Sequence, residues 1–142
     1  MLVRLLYASR SKGPIADERV SNILFHSRKN NPELGVTGVL CVCHGDVFIQ
    51  VLEGGRAEVN QLYERVIRDE RHTDVTLLHY AEVEERRFSG WRMGRVELDK
   101  VNAALVLKYS EKPKLDPFRM SGRVALTLLE ELASTASIVG GS

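Results

Sequence analysis

The sequence of 142 residues lacks most features of secreted, membrane-spanning and nucleic-acid-binding proteins. Its two cysteines, Cys41 and Cys43, are too few for a disulfide framework, which favours a reducing compartment. No apolar run approaches the ~20 residues of a membrane helix, and residues 1–10 have no signal-peptide core. With 20 basic and 19 acidic residues, the chain has no charge excess to attract nucleic acid or an anionic membrane. We therefore expect a soluble, cytoplasmic protein that binds neither.

The signature motifs of several enzyme classes are also missing. The chain has no Gly-x4-Gly-Lys-Ser/Thr phosphate loop and no Gly-x-Gly-x-x-Gly stretch. It has no Gly-x-Ser-x-Gly elbow, and its histidines form no His-Glu-x-x-His pattern. Cys41, Cys43 and His44 lack the spacing of zinc ligands. The sequence therefore predicts no metal site and gives no direct sign of catalysis.

The apolar pattern predicts one domain of the α+β class. The composition, 44% hydrophobic and 27% charged, is that of an ordinary globular chain. Alternating or continuous apolar runs predict five strands, over residues 2–7, 36–43, 46–53, 75–83 and 92–97. Helical periodicity predicts helices over residues 17–29 and 57–68, the second with Val59, Leu62, Tyr63 and Val66 on one face. The order βαββαββ is that of a ferredoxin-like sheet with two helices on one face.

The last third of the chain has a different pattern. Residues 98–108 predict a short helix, and Ser121 is positioned to cap a final helix that extends to about residue 133. These helices would cover the sheet face left bare by the first two. The expected division is a core over 1–97, a C-terminal helical cap over 98–136 and a frayed tail over 137–142.

Two polar residues on the predicted central strands have mainly apolar neighbours in the sequence. Strand alternation places Tyr7 on one face with Leu5, and Gln50 on one face with Phe48 and Leu52. A buried phenol and a buried amide need hydrogen-bond partners, and each can both donate and accept. The two residues are therefore candidates for a buried relay that contacts a ligand. An ordinary core tyrosine and an exposed glutamine remain the alternative.

Other polar groups allow a structural or a functional interpretation. Asn31, before Pro32, either ends the first helix or binds a planar ring. A polar cluster at the end of the second helix is either solvated or suited to a phosphate and ribose; its members are Arg65, Asp69, Arg71 and His72. Trp91 and Met93, two apart on the predicted fifth strand, would share one face, which is typical of core packing.

Taken in order, these pieces resemble the BLUF domains, blue-light sensors that use FAD, and in particular their short single-domain members. The resemblance is strong over residues 1–97 and looser beyond. The matching segments are Arg4-Leu5-Leu6-Tyr7-Ala8-Ser9, Asn30-Asn31-Pro32, Gly35-Val36-Thr37-Gly38-Val39-Leu40, Phe48-Ile49-Gln50-Val51-Leu52-Glu53-Gly54, Asp69-Glu70-Arg71-His72 and Trp91-Arg92-Met93.

The resemblance implies a role for each matching residue. Tyr7 matches the photoactive electron donor, Gln50 the glutamine between that tyrosine and the flavin N5/O4 edge, and Asn31 the asparagine that binds the ring. It also implies an aliphatic pair around the ring, Ile23 and Val66, and a group near the ribityl and phosphate portion, Arg65, Asp69 and His72. The residues implied in signalling are Trp91, Met93 and Ser9.

The function that this resemblance implies is a photoreceptor and not an enzyme. It would bind FAD non-covalently, rearrange hydrogen bonds around the flavin in light, signal to a downstream protein and form a homo-oligomer. The residues themselves leave two alternatives open. One is a small ferredoxin-like phosphate-ester or acyl-phosphate hydrolase, and the other is a regulatory module without a cofactor.

Overall fold

Five strands form one mixed sheet in the computed structural model, which describes residues 1–12, 33–43 and 46–135. The strands are β1 (Leu2–Ser11), β2 (Thr37–Cys43), β3 (Val47–Gly55), β4 (His72–Val83) and β5 (Gly94–Glu97). Their order across the sheet is β4-β1-β3-β2-β5. Neighbours run antiparallel except β2 and β5, which are parallel. This sheet and the helices packed on it confirm the ferredoxin-like α+β fold.

The strands that carry the two candidate polar residues lie inside the sheet. β3 is the middle strand, and β1 lies between β3 and β4. Each has a hydrogen-bonded neighbour on both sides, and its alternate apolar residues pack into clusters on the two faces of the sheet. Nearly every residue of β1 and β3 is buried. The central placement expected for Tyr7 and Gln50 is confirmed.

Helix α1 (Arg56–Arg68) packs on the first face of the sheet. Its apolar stripe has the predicted members, which are Val59, Leu62, Tyr63 and Val66. Arg65 and Arg68 lie in its last turn, where the helix dipole stabilises positively charged side chains. The helix predicted over 17–29, residues 44 and 45 and the tail over 137–142 lie outside the described residues.

The C-terminal region differs in detail from its prediction. The single helix predicted over 98–108 is wrong: the chain forms a 3₁₀ turn (Leu98–Lys100) and then helix α2 (Ala103–Leu107). The break arises because the Asn102 side chain accepts a hydrogen bond from the Ala104 N–H and so begins a new helix. A second 3₁₀ turn (Pro117–Arg119) precedes helix α3 (Gly122–Ser134). Ser121 caps α3 as predicted, accepting from the Val124 N–H.

Helix α3 covers the second face of the sheet, as expected. Its buried residues are Ala125, Leu126, Leu128, Leu129 and Leu132. They join one apolar cluster with sheet residues such as Leu6, Val39 and Ile49. No helix within residues 1–12, 33–43 and 46–135 has both the length and the hydropathy to cross a lipid bilayer.

The two cysteines point to this second face and are free thiols. Their Sγ atoms lie 3.8 Å apart, and both side chains are completely buried. The hydrogen bond with Cys41, followed by burial, raises the pKa of the Cys43 thiol.

Candidate functional site around Tyr7 and Gln50

Tyr7 and Gln50 are direct partners across the β1–β3 ladder. The Tyr7 hydroxyl donates to Gln50 Oε1 at 2.5 Å, and both side chains are buried, with exposures of 2% and 6%. They share the first face with Leu5, Phe48 and Leu52, as strand alternation predicted. The sequence-predicted hydrogen-bonded pair therefore exists, in an apolar setting where water does not compete.

The amide of Gln50 has a second contact, to Met93. Gln50 Nε2 donates to the Met93 sulfur at 3.3 Å, and Met93 is fully buried. A thioether is a weak acceptor, so this bond holds the amide less firmly than the phenol does. The result is a chain of three side chains in which the amide oxygen faces Tyr7 and the amide nitrogen faces Met93.

The electrostatic setting of Tyr7 keeps its hydroxyl protonated. Burial raises the pKa of Tyr7 well above its usual value, and nearby Tyr63 and Asp69 act in the same direction. The Tyr63 ring lies 5.6 Å from the Tyr7 ring, centroid to centroid, at a 46° tilt. Tyr63 was predicted as part of the apolar stripe of α1, but sequence reasoning missed it as a neighbour of Tyr7.

Trp91 and Met93 do not share a face, so that prediction is wrong. Met93 belongs to the first-face cluster with Tyr7, whereas Trp91 packs against the second-face cluster, which includes residues of α3. The physical reason is that β5 begins at Gly94 and not near residue 92. Both residues lie in the irregular chain before it, where strand alternation does not apply.

Ser9 and His72 form a second polar pair on the first face. Ser9 is fully buried, and its Oγ lies 3.0 Å from His72 Nδ1. The His72 ring also packs on Phe48, with centroids 5.4 Å apart. His72 is the first residue of β4 and so lies opposite the end of β1, instead of in a loop before a strand predicted to start at residue 75. Ser9 is thus joined to the histidine of the polar cluster.

The remaining predicted residues are placed as follows. The Asp69 carboxylate accepts from the Arg71 guanidinium at 2.7 Å, which lowers the pKa of Asp69 to about 2. Val66 is half-buried in the first-face cluster, and Arg65 is exposed on α1. Ile23 and Asn31 lie outside the described residues.

Sequence reasoning missed a buried ion pair on the second face. Arg4 Nε donates to Glu53 Oε2 at 2.8 Å, and the Glu53 side chain is fully buried. Both residues stand in the matching segments, but no role was predicted for either. Residues Arg4 and Glu53 are cross-strand partners in the same ladder as Tyr7 and Gln50. A charged residue on an inward face of each of two adjacent central strands was the available signal.

The described part of the structure contains no cluster of side chains that could form a metal site. Within residues 1–12, 33–43 and 46–135, no three His, Cys, Asp or Glu side chains converge as metal ligands would.

Residues 2–94 match the family model of BLUF, the sensors of blue light using FAD. The chain belongs to the BLUF family. It is a flavin-binding blue-light photoreceptor domain with the fold of that family. The family description names FAD as the flavin.

Solved structures and curated proteins support the same assignment. The fold superposes on the BlsA protein in its photo-activated state with a TM-score of 0.81 and 29% identity, covering 93% of this chain and 94% of that one. BlrB, a BLUF protein in its dark state, gives 0.77 and 28%, with 95% and 96% covered. The photoactivated adenylate cyclase subunit beta of Euglena gracilis is 37% identical over 93 residues, which are 65% of this chain. The match spans only 11% of that protein.

The first face fits a flavin. Tyr7 and Met93 each take one of the hydrogen-bonding positions of the Gln50 amide, which has two N–H donors and an oxygen with two lone pairs. The amide therefore keeps a donor and an acceptor for the polar edge of a ring. Half-buried apolar side chains of α1, including Leu62 and Val66, face the same region. This combination of apolar wall and spare amide capacity is typical of a cofactor site.

Proposed function

We propose that this chain binds FAD non-covalently on the first face and that Tyr7 and Gln50 are its photochemical relay. The observation that carries the proposal is the buried chain from the Tyr7 hydroxyl through the Gln50 amide to the Met93 sulfur. It links a phenol, an amide that can exchange its donor and acceptor ends, and a weak acceptor. Such a chain has two alternative hydrogen-bonding patterns, which is what a switch requires.

The flavin, when bound, supplies a one-electron oxidant under blue light. With that group bound, the Tyr7 phenol would serve as the one-electron donor, and its proton would move to Gln50 Oε1, the atom that already accepts from it at 2.5 Å. Rotation of the protonated amide, or loss of an Nε2 proton to give the other tautomer, would change its hydrogen-bonding pattern. Return of one electron and one proton to Tyr7 would restore the phenol and leave the amide in that changed pattern. The electron and proton balance is zero over the cycle.

A dry site is required for this step, because water would offer the amide competing partners. Tyr7, Gln50 and Met93 are exposed by only 2%, 6% and 0%. The altered amide therefore keeps its new partners until thermal exchange restores the first arrangement. Slow reversal in the dark is the expected consequence.

The other residues are proposed as binding groups. Asn31 would bind the ring, Ile23 and Val66 would pack on it, and Arg65 would reach the phosphate portion with Asp69 and His72 nearby. The exposed position of Arg65 at the end of α1 supports a contact with an anionic group. The Ser9 hydrogen bond orients His72, and Arg71 orients Asp69.

The output is proposed to be a contact with a downstream protein and not catalysis by this chain. Met93 and Trp91 would carry the change in the amide to the C-terminal helices, because Met93 contacts Gln50 and Trp91 packs against the cluster that contains the buried residues of α3. A cytoplasmic location and a homo-oligomeric state belong to the same proposal. Family membership favours the photoreceptor over the hydrolase and over the cofactor-free module.

The test is the absorption spectrum of the purified protein. We expect a yellow protein whose flavin bands shift to the red under blue light and return in the dark. Chromatography of the released cofactor then identifies it as FAD or FMN. A colourless protein that takes up neither flavin on reconstitution contradicts the proposal.

A further inference from the structure

The chain between β4 and β5, residues 84–93, is held to the sheet from its second face as well as by the Gln50–Met93 contact. We call it the β4–β5 segment. The Glu53 carboxylate accepts from the Phe88 N–H at 2.6 Å and from the Arg87 N–H at 3.0 and 3.1 Å. Arg4 Nε donates to the same carboxylate. One buried side chain therefore satisfies two backbone donors of this segment.

The hydrogen bonds to Glu53 are strong because its carboxylate forms an ion pair with Arg4 and is shielded from water. Glu53 is completely buried and Arg4 is 5% exposed. Charge-assisted hydrogen bonds are about twice as strong as neutral ones, and a buried carboxylate without donors is costly. Phe88, fully buried in the second-face cluster, adds apolar packing at the same point. The segment is thus fixed firmly at Arg87 and Phe88.

Two further bonds fix the segment towards its end. The Trp91 N–H donates to the Phe88 carbonyl at 3.1 Å, and the Gly38 N–H donates to the Trp91 carbonyl at 2.9 Å. Gly38 must be glycine, because a Cβ there would lie 2.0 Å from the Val51 carbonyl oxygen. Met93 then reaches the first face. Hydrogen bonds thus fix the path from Glu53 to Met93 at Arg87, Phe88 and Trp91.

Glu53 and Gln50 stand three residues apart on β3 and so point to opposite faces of the sheet. We propose that Glu53 is a positioning residue that sets where Met93 meets the Gln50 amide, an inference that rests on the proposed function. By holding Phe88, it confines the change in light to residues 89–93. Arg87 forms an ion pair with Glu130 of α3, so the point that Glu53 holds is also joined to the C-terminal helix.

Trp91 is the single tryptophan of the chain, so its fluorescence reports on the β4–β5 segment without any label. In the dark, Glu53→Gln should retain flavin but expose Trp91 to acrylamide, raising the quenching constant by about twofold or more. The decay of the red-shifted state should change by about threefold or more, equivalent to ~0.7 kcal/mol in the barrier. A residue needed only for stability would lower the melting temperature and move neither readout.

Arg4→Gln is the matched control, because it breaks the same ion pair and a long 3.5 Å bond to the Glu85 carbonyl but keeps the carboxylate on the Arg87 and Phe88 N–H groups. It should lose stability while Trp91 quenching and the decay rate stay near wild type. If Glu53→Gln does not fold, Glu53→Asp is the second variant. It keeps the charge but has a side chain one methylene shorter, so its carboxylate lies further from the Arg87 and Phe88 N–H groups. The same increase in Trp91 quenching and the same change in decay rate are expected.

Wild-type quenching and decay in every folded Glu53 variant would overturn the positioning role, as would equal changes in both readouts for Arg4→Gln. Neither result contradicts the proposed function, which requires only that the wild-type protein is yellow and that its flavin absorption shifts reversibly in blue light. Conversely, a wild type without flavin contradicts the proposed function, and Trp91 quenching in Glu53→Gln still tests whether Glu53 holds the segment.

Discussion

The Tyr7 hydroxyl donates to Gln50 Oε1 at 2.5 Å, across the two strands at the centre of the sheet. That direction matters, because it leaves the amide nitrogen for Met93 and not for the phenol. The pair is therefore poised in one of two possible amide orientations, and the variants below test what each partner contributes.

Replacing Tyr7 with phenylalanine should remove the red shift but leave flavin binding intact. Phenylalanine fills the same volume, but it is a far poorer electron donor and has no transferable hydroxyl proton. The unpaired Gln50 oxygen should cost about 1–3 kcal/mol of stability. Absorption difference spectra before and after blue light check the loss. Tyr80→Phe, at an exposed position on β4, is the control and should switch normally. Loss of bound flavin in Tyr7→Phe would assign Tyr7 a structural role instead.

Replacing Gln50 with leucine should likewise abolish the reversible shift. Leucine packs with Phe48 and Leu52 on the same face but has neither donor nor acceptor. The Tyr7 hydroxyl then lacks its acceptor, so electron transfer from it has no site for the proton. The same difference spectra check this, with the flavin content measured per protein. A full, reversible red shift in Gln50→Leu would be incompatible with the relay.

Met93→Leu separates the sulfur contact from packing. The two side chains have similar volumes, so the free energy of unfolding should change by less than about 1.5 kcal/mol. The loss of the sulfur acceptor should nevertheless change the dark-reversion rate, because Gln50 Nε2 loses its partner. Chemical denaturation and the decay of the shifted spectrum provide the two measurements. In Met93→Ala, a cavity should add about 2–5 kcal/mol of destabilisation. An unchanged reversion rate in both variants, or unchanged light-dependent partner binding in Met93→Ala, would exclude this route.

The buried and exposed ion pairs should differ sharply in their contribution to stability. Arg4→Gln leaves the buried Glu53 charge without its cation and should cost about 3 kcal/mol or more. Glu82→Gln breaks the exposed pair with Arg56 and should cost less than about 1 kcal/mol. Urea denaturation of both variants makes the comparison. Equal losses would mean that burial does not govern the Arg4–Glu53 pair.

Acid should weaken the protein partly through Asp69. Because its pKa is lowered from 3.8 to about 2 in the fold, its contribution is complete above about pH 4 and disappears as the pH falls towards 2. Arg71→Gln removes the main cause, so the difference from wild type should shrink over that range. Since Arg71 is half-exposed, the effect should not exceed about 1 kcal/mol. Urea midpoints at pH 2, 3, 4 and 6 check it, and a difference that does not vary with pH would contradict this assignment.

Strand alternation allowed the central pair to be predicted because it is a strict, local geometry. Tyr7 and Gln50 both lie within regular strands, so counting residues by two placed each on the correct face. The same count failed for Trp91 and Met93, which lie in irregular chain before β5. Their faces depend on the hydrogen bonds that hold the β4–β5 segment, and those partners are distant in sequence.

Glu53 illustrates what pattern alone could not supply. Its donors include backbone N–H groups 34 and 35 residues further along the chain, and a backbone group has no residue-type signal. A buried charge on a central strand could be detected from the sequence, but its partners could not. The break between the 3₁₀ turn and α2 has a similar cause, since Asn102 acts through a side-chain cap inside a segment whose pattern predicts one helix.

The order of the sheet also determines which parts are stiff. β1 and β3 are each hydrogen-bonded to a neighbouring strand on both sides. Neither strand can shift in register without breaking the backbone hydrogen bonds to both neighbours. The β4–β5 segment leads instead into β5, a four-residue edge strand bonded only to β2 among the described strands. The Tyr7–Gln50 pair is thus expected to stay in place, and movement of the backbone is expected at the edge of the sheet. A partner protein would accordingly detect movement of an edge and not deformation of the centre.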